Sequence, residues 1–179
     1  MNYSILCPSR ARPNDLRRLC NSINQTSKDR EKVEILVYLD DDDLETNEKD
    51  FLDIDNLKFF RGPRVWMSHA QNFLYCHSVG QIIMACADDF VFRTNLWDEI
   101  VLEEFAKYED RIVLIFGNDL GTHAGTLPTH FFLHRKVPAT LGTWVMQGRA
   151  SLWDLWANDV MRNIGRVSYL KDVVIEHLN

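Results

Sequence analysis

The sequence has no cysteine pair at C-x-x-C spacing. Its four cysteines are Cys7, Cys20, Cys76 and Cys86, which argues against a zinc knuckle. Cys7 and Cys86 lie in apolar runs and read as reduced core residues, so a cytoplasmic setting is expected over a secreted one. No apolar stretch approaches the ~20 residues that span a bilayer. The opening Met1-Asn2-Tyr3-Ser4 lacks the charged-then-apolar pattern of a signal peptide. Positive charge is short as well: 20 Lys and Arg face 26 Asp and Glu, for a net charge of -6. That disfavours a broad electrostatic grip on DNA or RNA, though not a local basic pocket. Neither G-x-G-x-x-G nor G-x-x-x-x-G-K-[ST] occurs, so dinucleotide and P-loop readings lack their fingerprints.

What is present is an ordinary globular balance, with 46% hydrophobic and 26% charged residues over 179 positions. This length indicates one domain with a core that needs no disulfides. Ser4–Cys7 reads as a buried strand stopped by Pro8, and Pro13 opens a helix with Leu16, Leu19, Cys20 and Ile23 at helical spacing. Further strands are expected at 33–39, 57–60, 81–87, 111–116 and 131–134, and two short ones at 167–170 and 173–175. Helices are expected at 68–77, 96–108 and 152–164, the last ended by Gly165. The acidic stretch 44–56 reads as a surface loop or short helix.

Strands written as near-continuous apolar runs, alternating with helices, imply an α/β fold with a mostly parallel sheet covered on both faces. Ligands of such sheets bind beyond the carboxyl ends of the strands. Three strands end in polar sequence: Pro8-Ser9-Arg10, Asp40 to Asp43, and Asp88-Asp89. Their ends are expected side by side.

Two adjacent carboxylates after a buried strand repel one another unless a cation or hydrogen bonds relieve them. Asp88-Asp89 therefore fits a Mg²⁺ or Mn²⁺ site, and equally a solvated turn or helix cap. The run Asp40 to Asp43 reads mainly as a solvated loop. Asp40, at the strand end, is the exception and can accept a nucleobase N–H. The loop from Pro8 to Pro13 offers backbone N–H groups and the guanidiniums of Arg10 and Arg12, suited to phosphates or to an ordinary basic turn. Asp154, among Trp153 and Trp156, is either a general base beside rings that pack on a sugar or a helix-opening Asp. His177, after Glu176, becomes a metal ligand only if the fold brings it a carboxylate.

In this order the features resemble the GT-A glycosyltransferases, especially the inverting family 2-like enzymes. Ile5-Leu6-Cys7-Pro8-Ser9-Arg10-Ala11-Arg12-Pro13 is similar to their first strand and nucleotide loop. Leu36 to Asp41 is similar to their second strand, with Asp40 at the uracil-binding position. The segment from Gly62 through Arg64 to Ala70-Gln71-Asn72 resembles their Gly…Ala-x-Asn stretch over the sugar nucleotide. Asp88-Asp89 followed by Thr94, Trp97 and Asp98 resembles their metal motif and its continuation. The close from Gly165-Arg166 to Glu176-His177 is similar to theirs. Two features depart from the family. Phe90 follows Asp89, so a full Asp-x-Asp is missing, and the chain is very short for the family.

The resemblance implies one GT-A domain over 1–179, with a nucleotide-binding part at 1–116 and an acceptor side with the metal-ligand segment at 117–179. It implies a hexosyltransferase using a UDP-sugar such as UDP-glucose, Mn²⁺ or Mg²⁺, and a hydroxyl acceptor. Pro8, Ser9, Arg10, Arg12, Asp40, Arg64, Asn72 and Asp88 would bind the donor, with Asp88 on the ribose. Asp89 and His177 would hold the metal, and Asp154, or else Asp159, would be the base. A nucleotidyltransferase would want Gly and Lys in the first loop, which has neither. A phospho-acceptor switch would want acids after the first strand. A non-catalytic nucleotide- or sugar-binding module would show affinity without turnover.

Overall fold

The computed structural model describes residues 2–148 and 153–178. The strands are β1 (Tyr3–Ser9), β2 (Val33–Asp40), β3 (Leu57–Gly62), β4 (Ile82–Ala85), β5 (Phe90–Phe92), β6 (Leu114–Asn118), β7 (Phe131–His134) and β8 (Val167–His177). The helices are α1 (Pro13–Thr26), α2 (Met67–His77), α3 (Trp97–Ala106), α4 (Lys136–Leu141) and α5 (Trp153–Asn163). The expected start of α5 at Leu152 lies outside the described residues. Among the described residues, no helix is long and apolar enough to cross a membrane.

The strands form one sheet in the order β3-β2-β1-β4-β7-β6-β8-β5. It is mostly parallel: β3, β2, β1 and β4 run together, and β6 runs with β8. Antiparallel β7 is inserted between β4 and β6, and β5 pairs antiparallel with β8 at the edge. The division expected at 116/117 falls inside β6.

The apolar runs follow from two covered faces. Alternate residues of a strand point to opposite sides. Ile5, Cys7, Ile35 and Val37 pack with Leu16, Leu19 and Ile23 of α1 and with Val101 and Phe105 of α3. Leu6, Leu36 and Tyr38 pack on the other face with Ala70 and Leu74 of α2, Val137 of α4, and Ala157 and Met161 of α5. Removing one such Leu to Ala costs about 2–5 kcal/mol. Cys7, Cys20 and Cys86 are buried and free, as expected of core thiols; burial pushes all three thiols up.

Three elements differ from expectation. Phe90–Phe92, read only as the tail of an acidic motif, is a buried strand. Lys136–Leu141, where no helix is expected, is a helix. It tolerates Pro138 because the first-turn N–H groups of a helix have no intrahelical acceptor. The two short closing strands are one strand, β8. Its register against β6 shifts between Gly117 and Asn118. A Cβ on Gly117 would sit 2.5 Å from the Val173 carbonyl, so only glycine permits this approach. Past the shift, β8 leaves β6 and pairs with β5, setting His177 opposite Phe90.

Candidate functional site

The parallel order β2-β1-β4 places the three polar strand ends side by side. They frame a cleft of about 470 Å³ lined by Pro8, Ser9, Arg10, Arg12, Tyr38, Asp40, Arg64, Val65, Met67, Ala70, Ala87, Asp88 and Asp89. Such a crevice outside the carboxyl ends of strands is where open α/β sheets bind ligands. A second cleft, of about 420 Å³, lies at the opposite strand ends. Its cations are already paired there, Lys58 with Glu34, Lys32 with Asp29 and Arg30 with Asp55.

The first loop turns sharply at Ala11, which holds φ 53°. This left-handed conformation costs a non-glycine residue roughly 1–2 kcal/mol. The Asp43 carboxylate accepts the Ala11 N–H at 3.0 Å and holds the turn. The flanking arginines part: Arg10 goes to the end of β2, Arg12 to the end of β4. Arg10 donates to Asp40 at 2.7 Å and clasps Asp42 with both terminal nitrogens. These bonds raise its own pKa and pull that of Asp42 down.

Asp43 departs from the solvated-loop reading of the four-acid run. Asp41 and Asp42 are exposed, but Asp43 is buried. Burial pushes its carboxyl up. The amides of Ala11, Glu45 and Thr46 more than offset this, and its pKa ends below the ordinary carboxylate value.

Asp88 is buried. It accepts the Ser9 hydroxyl at 2.7 Å and one Arg12 nitrogen at 3.2 Å. Burial raises its pKa first of all; Ser9 and Arg12 oppose the shift and Asp89 adds to it. The same Arg12 nitrogen is 3.6 Å from Asp89 Oδ2. On the other side of Asp89, His177 Nε2 stands 3.4 Å from Oδ2, its ring stacked on Phe90 at 4.4 Å. Asp89 Oδ1 is buried with no hydrogen-bond partner among the described residues.

This donor set suits a hard divalent cation. An ionised oxygen left bare in the interior is costly unless something binds it. Mg²⁺-type ions are commonly held by one or two protein groups, with substrate phosphates and water completing the shell. Asp89 and His177 supply two. Among the described residues, no cluster of three or more His, Cys, Asp or Glu could hold a metal by itself.

Four expected site residues, Asn72, Asp154, Asp159 and His177, lie outside the cleft lining. Asn72 spends its amide on packing: it donates to the Ser68 and Val145 carbonyls and accepts from Thr143, Trp144 and Val145. It ties the loop after α4 to α2. Asp154 is half-buried in the first turn of α5, takes the Leu155 N–H at 2.8 Å, and is raised in pKa by burial. Asp159, on the same helix, is exposed. His177 reaches the site only through Asp89.

The sequence reading missed Tyr38. Strand period would have found it, because Tyr38 and Asp40 are two apart in β2 and share a face. The Tyr38 hydroxyl donates to the Pro63 carbonyl at 2.8 Å, and a Cβ on Gly62 would meet that hydroxyl at 2.5 Å. Gly62 thus lets the wall of the cleft close.

No protein-family model matches the chain, and no curated protein matches it in sequence. Solved structures match it in fold. Residues 1-349 of S. aureus TarS superimpose with a TM-score of 0.74 at 14% identity, covering 98% of this chain and 59% of that one. The same TarS segment in complex with UDP-GlcNAc gives 0.72 at 13%, covering 98% and 57%. The mannosyltransferase PcManGT from Pyrobaculum calidifontis, in complex with GDP-Man and Mn²⁺, gives 0.72 at 12%, covering 98% and 56%. The chain spans a little over half the length of these structures. The fold is therefore the GT-A type expected from the sequence.

Proposed function

We propose that this domain is a metal-dependent hexosyltransferase, moving a hexose from a UDP-sugar to a hydroxyl acceptor with inversion. One observation carries the reading: the three strand ends bring Asp40, Asp88 and Asp89 together with Arg10, Arg12 and Arg64 around a single cleft. The fold shared with TarS and the mannosyltransferase supports it, as do the UDP-GlcNAc and the GDP-Man with Mn²⁺ carried by those structures.

Asp40 accepts the uracil N–H beside Tyr38, Asp88 takes a ribose hydroxyl, and the guanidiniums of Arg12 and Arg64 face the diphosphate. Asp89 and His177 would hold Mn²⁺ or Mg²⁺, which when bound would supply stabilisation of negative charge on the leaving diphosphate. Asp154, whose pKa is raised by burial, takes the acceptor proton. Hydrolysis or transfer from a panel of UDP-sugars with Mn²⁺ tests the reading. The expectation is turnover by the parent protein, and about 100-fold or greater loss in Asp154→Asn with UDP affinity kept. Asp159→Asn is expected to retain turnover. UDP affinity without any turnover would leave a binding module; neither would reject the donor site.

A further inference from the structure

We propose that Arg12 is an exchangeable counter-cation for the Asp88–Asp89 pair, holding both carboxylates in the free protein and passing to the donor diphosphate when a divalent cation takes Asp89. This rests on the donor-site reading above and deepens it. It makes the binding of cation and nucleotide cooperative.

The two loop arginines differ in how they are held. Arg10 is locked, with a 2.7 Å bond to Asp40 and both terminal nitrogens on Asp42. Arg12 is held loosely. A single nitrogen is shared between Asp88 Oδ1 at 3.2 Å and Asp89 Oδ2 at 3.6 Å. Both distances exceed the roughly 2.7–2.9 Å of a tight charge-assisted bond. Its side chain is 54% exposed, whereas that of Asp88 is 6% exposed. Asp88 is the anchored partner, held by Ser9 at 2.7 Å, and the guanidinium is the exposed one.

The backbone of Arg12 stays put. It occupies the N-cap position of α1, its carbonyl accepts the Leu16 N–H at 3.0 Å, and Pro13 follows. Its side chain makes no cap bond, so the helix does not depend on it.

Asp89 Oδ2 is contested. Arg12 approaches it from one side and His177 from the other. A divalent cation on Asp89, whether on Oδ2 or on the unpartnered Oδ1 of the same carboxylate, would sit about 2 Å from its oxygen. The guanidinium would then face a double positive charge a few ångströms away, and would leave. Arg12 already lines the cleft, so the place it leaves for is the diphosphate. Without donor, Arg12 competes with the cation. With donor, the phosphates draw Arg12 off and open the oxygen. By linkage, each ligand then strengthens the other by the same factor.

The experiment measures Mn²⁺ affinity of the whole chain by titration calorimetry, with and without UDP, for the parent protein, Arg12→Ala and Arg18→Ala. Arg18 is an exposed cation on α1 paired with Asp15, so its loss changes net charge equally. Arg12→Ala should bind Mn²⁺ alone about tenfold more tightly, the scale of one charge–charge contact in a partly solvated site. The enhancement of Mn²⁺ binding by UDP should shrink by a similar factor. Arg18→Ala should match the parent. An unchanged or weaker Mn²⁺ affinity in Arg12→Ala, or an equal gain in Arg18→Ala, overturns the role of Arg12. If Mn²⁺ and UDP still bind together in that case, the donor-site reading stands. If neither protein binds Mn²⁺ even with UDP, both readings fall together.

Discussion

His177 Nε2 stands 3.4 Å from Asp89 Oδ2 across the antiparallel pairing of β5 with β8. The contact exists because β8 is deflected at Gly117 and carries its end to the acidic strand terminus. Asp89→Ala removes the buried Oδ1, which has no partner among the described residues, together with the long contacts of Oδ2 to Arg12 and His177, so the fold should lose little. Thermal unfolding in Mn²⁺ and UDP should rise for the parent protein and not for Asp89→Ala. His177→Ala should lower the Mn²⁺-dependent affinity for UDP by about 10–100-fold, the usual scale for a group that orients or completes a metal site. A full Mn²⁺-dependent rise in Asp89→Ala would put the cation elsewhere.

A different histidine should add to the loss of stability in acid. His130 is buried, and its Nε2 accepts the Gly117 N–H at 3.1 Å. The ring proton therefore sits on Nδ1, which is buried without a partner among the described residues. Burial, and secondarily His177, push the pKa down to about 4 against the pull of Asp119. Between pH 6.5 and 4 the unfolded chain binds a proton that the folded one refuses. Stability therefore falls as pH drops through that window, by about 3 kcal/mol from this group at its low end. His130→Gln keeps an acceptor for Gly117 but cannot titrate. Its urea midpoint should decline less steeply than the parent's between pH 6.5 and 4.5. Parallel declines would remove His130 as the cause.

Much of this site was legible because strand ends announce themselves. Leu39-Asp40 and Ala87-Asp88 each switch from apolar to acidic in one step, and parallel strands must bring such ends to one rim. Strand order is different. The insertion of β7 between β4 and β6 depends on contacts far apart in sequence, and Phe131-Phe132-Leu133 is apolar on both faces, as a parallel strand would be. β5 went unread because three residues are too few for a period to show. The cradle around Asp43 went unread because a carboxylate bound by backbone amides and one in water look alike in sequence. Asn72 shows the reverse: a residue placed over the donor by its neighbours in a motif has its amide committed to the Ser68 carbonyl and the loop at 143–145.

Asp88 sets stability against binding. Burial is the largest cause of its raised pKa, with Asp89 adding to it. Below the ordinary carboxylate range the group is neutral in both states and costs nothing. As pH rises from 3.8 through the raised folded value, the unfolded chain ionises first, so folding stability is lost across that interval and stays lost at neutral pH. Asp88→Asn removes the buried charge while its amide oxygen can still accept from Ser9. The variant should unfold about 2–4 °C higher than the parent at pH 7, the response of a chain this size to about 1 kcal/mol, and the gap should close toward pH 4. If Asp88 binds the ribose as proposed, the same change removes an acceptor for it and loosens Arg12, so UDP affinity should fall about tenfold or more. A variant that is less stable at pH 7 than the parent would mean that Ser9 and Arg12 more than compensate the burial of Asp88. The raised carboxyl would then not be the source of the instability.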